Sequence, residues 1–136
     1  MILYHFTAPT NVESILRQGL MPAQRFDSAL GYGRNAVWLT TKPTREISER
    51  HKVLWRERRP DLYSDSQEWL PAATVRLSVR IPSHDRKLVQ YVPWLRKHPW
   101  EDCPDIDDEI VRVGMKDFWI YFGVITPDRL SVEESA

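Results

Sequence analysis

Residues 1–20, MILYHFTAPTNVESILRQGL, read as a strand, a break, a helix and a stop. Ile2, Leu3 and Tyr4 form a short apolar strand that runs into His5-Phe6-Thr7. Residues two apart in a strand face the same side, so His5 and Thr7 can offer two hydrogen-bonding groups to one ligand. Pro9-Thr10 ends the strand. Thr10 and Glu13 fit a capping box, and Val12, Ile15 and Leu16 recur at helical spacing as one apolar stripe. Gly19 suits the left-handed position after a helix, with Leu20 packing back on it.

Gly31–Thr41, GYGRNAVWLTT, carries a tyrosine between two glycines into a second apolar strand through Ala36, Val37, Trp38 and Leu39. Thr44 to about Arg59 contains neither Gly nor Pro and reads as a charged helix, which Pro60 ends. Asp61–Pro71 is a polar loop. Thr74–Ile81 alternates Val75, Leu77, Val79 and Ile81 with polar residues, the pattern of a strand with one buried face. Asp85–Lys97 holds a short helix broken near Pro93, and His98–Asp108 is an acidic, turn-rich loop. Glu109–Val113 reads as a short strand and Phe118–Ile125 as a long one, apolar on both faces and so central. Pro127 ends that last strand, and Asp128–Ala136 is a tail. Helices fall early and strands late, which favours α+β over a doubly wound parallel sheet.

The chain has 136 residues, 42% of them apolar, which fits one domain spanning 1–136. A chain of this size buries about two-thirds of its unfolded surface. Nineteen basic and nineteen acidic residues balance, whereas a dedicated nucleic-acid binder carries a basic excess. Cys103 is alone, so there is no disulfide framework and no thiolate metal cluster. His51, His84 and His98 have no metal-ligand spacing with it, and no metal is expected. The start lacks signal-peptide character, and no apolar run approaches the ~20 residues of a membrane helix. A soluble, cytoplasmic protein is expected.

His5-Phe6-Thr7, then Ile15-Leu16-Arg17-Gln18-Gly19-Leu20, then Gly31-Tyr32-Gly33 leading into Val37-Trp38-Leu39-Thr40, stand in an order that resembles the ADP-ribosyltransferase superfamily. The resemblance is to its poly(ADP-ribose) polymerase branch, with DNA-modifying and RNA 2′-phosphotransferase variants. It covers about the first third of the chain. It implies an α+β fold of two small sheets packed face to face around an NAD cleft. The implied activity is transfer of ADP-ribose from NAD to a macromolecular acceptor, protein or nucleic acid, in a small toxin-like or modifying enzyme.

The resemblance also assigns positions. His5 would hydrogen-bond a ribose hydroxyl of NAD. The backbone of Phe6 would hold the nicotinamide carboxamide, although Phe6 stands where the family commonly has glycine. Thr7 would fix the strand end. Tyr32 would stack on nicotinamide or adenine, and Arg34 would meet the pyrophosphate. The family's carboxylate begins the penultimate strand, where a fixed anion stabilises the positive ribosyl centre. Glu109 is the positional match, Asp117 the second candidate and Glu68 a remote third.

Plainer roles stand beside these. His5 can be a satisfied core histidine, Thr7 and Tyr32 turn residues, Arg34 a surface arginine, and Asp107-Asp108-Glu109 a solvated acidic turn. Arg56, Arg58 and Arg59 with Trp55 make a basic-aromatic patch at a helix end. Two alternatives to a transferase remain. One is a non-catalytic module of the same fold binding NAD, ADP-ribose or a protein. The other is an NAD-dependent RNA 2′-phosphotransferase, which needs several arginines on one phosphate, where the chain offers only Arg34 and Arg76.

Overall fold

A computed structural model of the chain describes residues 1–22, 36–44, 49–58, 74–98 and 115–134. Six strands form one antiparallel sheet: β1 (Ile2–Thr7), β2 (Val37–Thr40), β3 (Val75–Arg80), β4 (Leu88–Gln90), β5 (Phe118–Tyr121) and β6 (Leu130–Glu134). Their order across the sheet is β4-β5-β2-β1-β3-β6. Three helices accompany them: α1 (Pro9–Gln18), α2 (Glu49–Arg58) and α3 (Tyr91–Lys97). The class is α+β, but the described strands make a single sheet rather than two packed face to face.

The reason lies in how β1 pairs and in what covers the strands. β1 joins β3 through six residue pairs, from Ile2↔Arg80 to Thr7↔Val75. It joins β2 through one, Tyr4↔Thr40. The sheet is thus two well-knit halves, β4-β5-β2 and β1-β3-β6, meeting at a single pair. Among the described residues, one face packs against α1 and the Leu20–Ile125 bridge, and the other against α3. Leu3, Leu77, Val79, Val37, Leu39, Tyr121 and Leu88 alternate onto one face, with Leu20, Ile125 and half-buried Ile15 of α1 packed against them. Trp38, Val89 and Ile120 alternate onto the other, under Tyr91, Val92, Trp94 and Leu95 of α3.

Several local expectations change. α1 begins at Pro9, whose fixed φ suits the first helical position, with Ala8 as N-cap and no side-chain cap. Thr10 lies inside the first turn, so its capping box with Glu13 does not form. Gly19 has φ of 92° but an extended ψ of 175°. Its N–H donates to the Ile15 carbonyl at 2.7 Å, while Leu20 forms a two-way bridge with Ile125, at 2.9 and 3.0 Å. A Cβ on Gly19 would sit 2.4 Å from the Ile125 carbonyl oxygen. The glycine is therefore required by backbone approach as well as by φ.

The strand over 75–80 matches its expectation, with Leu77 and Val79 fully buried. β5 is central, between β4 and β2, but its regular part stops at Tyr121. Pro93 does not break α3. It falls in the first turn, where no N–H is needed. The tail is not a tail. A 3₁₀ turn at Pro127–Arg129 leads into β6, which pairs with β3 over five residues. Its Leu130 fills the core while Ser131 and Val132 stay exposed, so the apolar signal is short. Helices and strands consequently interleave along the chain. The strand expected at Glu109–Val113 lies outside the described residues.

Candidate functional site

His5 sits where the two halves of the sheet part. Extending the Tyr4↔Thr40 register would set His5 opposite Leu39 and Phe6 opposite Trp38, yet neither pair belongs to the ladder. Instead the His5 imidazole reaches across, and its Nδ1 lies 2.8 Å from the Trp38 carbonyl oxygen. A carbonyl only accepts, so Nδ1 carries the proton, and in the neutral ring Nε2 carries the lone pair. The ring is half-buried.

Phe6 and Thr7 follow on the same strand end and are both buried. Thr7 Oγ1 accepts from Asn11 Nδ2 at 3.4 Å, which ties the strand end to the first turn of α1. Downstream, the Gly19-Leu20 bridge to Ile125 fixes the other end of α1. The whole segment 1–20 is thereby held at three places: the β1 ladders, the Thr7–Asn11 contact and the Leu20–Ile125 bridge.

Trp38, the aromatic residue of β2, packs its half-buried ring against Tyr91, centroids 4.6 Å apart, and edge-on to Phe118 at 6.0 Å. It ties α3 to the strand whose carbonyl receives His5. α3 therefore acts on the site at one remove, by fixing β2 from the opposite face.

Asp117 immediately precedes β5, which is the fifth of the six described strands. The added strand β6 thus brings the penultimate position to Asp117. Its backbone carbonyl accepts from the Thr41 N–H at 3.0 Å. Its Oδ1 accepts from the Thr41 hydroxyl at 3.3 Å, and its Oδ2 lies 3.4 Å from Lys42 Nζ. The Lys42 N–H in turn donates to Thr40 Oγ1 at 3.1 Å. Thr41 and Lys42 were not singled out from sequence. The signal was Thr40-Thr41-Lys42 directly after an apolar strand, a polar cluster that in isolation reads only as a turn.

Arg76 makes structural contacts, although its buried Nε, close to Glu133, has no partner in hydrogen-bond geometry. It donates to the Pro43 carbonyl at 2.7 Å, pairs with Glu133 at 2.9 Å and lies over the Tyr4 ring at 5.4 Å. Arg56 and Arg58 are exposed on α2. Tyr32, Arg34, Glu68, Cys103 and Glu109 lie outside the described residues, as do Arg59 and the side chain of Trp55. Among the described residues no group of three or more His, Cys, Asp or Glu comes together, and no helix is long and apolar enough to cross a membrane.

A second polar cluster ties the turn after β3 to β5. The Asp85 carboxylate accepts from the Lys87 N–H and from the Tyr121 hydroxyl, each at 2.9 Å, with Arg129 at 3.7 Å. The Lys87 N–H, then the Tyr121 hydroxyl and the nearby cations, hold Asp85 below the usual carboxylate range against the opposing effect of burial. Burial, and then the facing carboxylate, push the Tyr121 phenol up. This network braces the fold and lies apart from His5 in its hydrogen bonding.

Comparison with protein-family models and with curated proteins finds no match to the chain.

Proposed function

We propose that the chain transfers ADP-ribose from NAD to a macromolecular acceptor and releases nicotinamide. The observation that carries this reading is His5, in the second half of β1 beside the single residue pair that joins β1 to β2. The motif order of residues 5–20 and 31–40 supplies the chemistry expected there.

In this reading the Nδ1 bond to Trp38 fixes the ring, and Nε2 accepts from a ribose hydroxyl. The Phe6 backbone holds the carboxamide, Thr7 keeps the strand end in place, and Tyr32 and Arg34 take the ring-stacking and pyrophosphate roles. The glycosidic C–N bond breaks, and its electron pair leaves with nicotinamide. The positive ribosyl carbon is stabilised by a carboxylate. The acceptor nucleophile then bonds to that carbon and loses its proton. Asp117 takes the carboxylate role by its position before β5. Glu109 is the alternative.

The 2′-phosphotransferase reading draws less support, because Arg76 is committed to Glu133, Pro43 and Tyr4. The binding-module reading is separated by experiment. Incubation with NAD labelled on the adenylate, plus a cell lysate, should transfer label to material removed by either protease or nuclease. Labelled product that vanishes with one of them names the acceptor class. Absence of label transfer and of free nicotinamide, with NAD bound, would establish a module without catalysis.

A further inference from the structure

We infer that Thr41 and Lys42 are positioning residues for the Asp117 carboxylate, an inference that rests on the transferase reading with Asp117 as its anion. Each carboxylate oxygen of Asp117 has its own partner, and the two partners are consecutive residues at the end of β2. The Thr41 hydroxyl meets Oδ1 at 3.3 Å and Lys42 Nζ meets Oδ2 at 3.4 Å. The Thr41 N–H also bonds the Asp117 carbonyl at 3.0 Å, so the same residue sets both the backbone and the side chain of Asp117. Lys42 is itself held by the bond from its N–H to Thr40 Oγ1.

The placement is not a property of the ladder alone. β2 pairs β5 from Val37↔Tyr121 to Thr40↔Phe118. The next residues outward, Thr41 and Asp117, meet through their side chains as well as their backbones. Asp117 is about a third exposed, at 29%, and Lys42 is 44% exposed. An ion pair this open contributes little to stability. Its effect is on orientation: two contacts from two directions fix the carboxylate plane, which a short side chain at a strand start would otherwise be free to rotate. An anion that stabilises charge only in the transition state acts through that fixed orientation.

The test measures nicotinamide release from NAD by the full chain and by Thr41→Val, Thr41→Ser, Lys42→Met and Asp117→Asn. Lys116→Met removes an adjacent exposed charge as a control. Thr41→Val keeps the N–H bond to Asp117, and so the strand register, while deleting the hydroxyl. Thr41→Val and Lys42→Met should each lower kcat about tenfold with KM for NAD within about twofold, the signature of an interaction made in the transition state. Thr41→Ser should restore kcat. A purely structural role would change melting temperature and leave that split and that rescue absent. Wild-type kcat in both Thr41→Val and Lys42→Met, with Asp117→Asn inactive, overturns the positioning role and leaves the transferase standing. Full turnover in Asp117→Asn overturns it too and passes the carboxylate role to Glu109. No nicotinamide release by the unaltered chain ends both.

Discussion

At the scale of single residues, the proposed function gives His5 a ligand role on Nε2 beside the bond that its Nδ1 makes to the Trp38 carbonyl. His5→Asn tests the division. The Asn amide keeps a donor near the Trp38 carbonyl but places no acceptor where Nε2 lies. His5→Asn should therefore stay folded while losing at least about tenfold in NAD affinity, the scale of one lost hydrogen bond to a partner that stays unpaired. His5→Ala should lose both the bond to β2 and the affinity. Calorimetric titration of NAD with parallel melting curves separates the two. Equal NAD affinity in His5→Asn and wild type would remove Nε2 from the site. His5 stands out in the sequence as a histidine within an apolar strand, and the structure gives its Nδ1 a bond to the Trp38 carbonyl. That partner was not legible, because a backbone carbonyl leaves no trace in side-chain identity. Tyr32 and Arg34 keep their sequence-based roles as proposals, and Glu109 stands as the alternative to Asp117.

At the scale of elements, the segment from β1 through α1 to Leu20 was readable because apolar spacing, Pro9 and Gly19 all agree on it. Gly19 was expected for a helix stop and serves as one, but its tighter constraint is the Ile125 backbone 2.4 Å from where a Cβ would be. Gly19→Ala should cost roughly 2 kcal/mol or more, from φ strain plus displacement of the Leu20–Ile125 bridge. Urea denaturation measures it. A change under about 0.5 kcal/mol would mean that the bridge yields easily. Leu77→Ala, in the fully buried centre of β3, should cost about 2–5 kcal/mol. The sixth strand was missed because the apolar side chains of β6 are few: Leu130 is buried, Val132 is exposed, and Pro127 just before them reads as a stop. That one omission moved the penultimate position. With β6 absent, Phe118–Ile125 is the last strand and Glu109 leads the one before it. With β6 present, Asp117 immediately precedes the penultimate of the described strands.

At the scale of the whole molecule, the α+β class followed from strand and helix signals. The single split sheet did not, because pairing between distant strands is not encoded in the pattern of either one. The same sheet fixes how stability should respond to pH. Asp85 and Asp128 have folded pKa values below the ordinary carboxylate range, Asp85 through the Lys87 N–H and Asp128 through Thr126. Their contribution is present above the unfolded value near 4 and is lost as pH falls through the lower folded values. Tyr121 is shifted up, so above about pH 10 the unfolded chain ionises first and stability falls again. Asp85→Asn should flatten the acid limb of a plot of Tm against pH, and Tyr121→Phe the alkaline limb. Limbs unchanged in both variants would show that the network does not couple to folding.

The proposed function stands or falls on NAD binding beside His5, where β1 and β2 part. Thermal melting of the full chain with and without NAD tests it most directly. A ligand that binds only the folded state stabilises it by about 2.7 kcal/mol at a hundredfold excess over its dissociation constant. The expected result is a rise in Tm that grows with NAD concentration and shrinks in His5→Ala. No shift with millimolar NAD, ADP-ribose or nicotinamide, or an equal shift in His5→Ala, would contradict it.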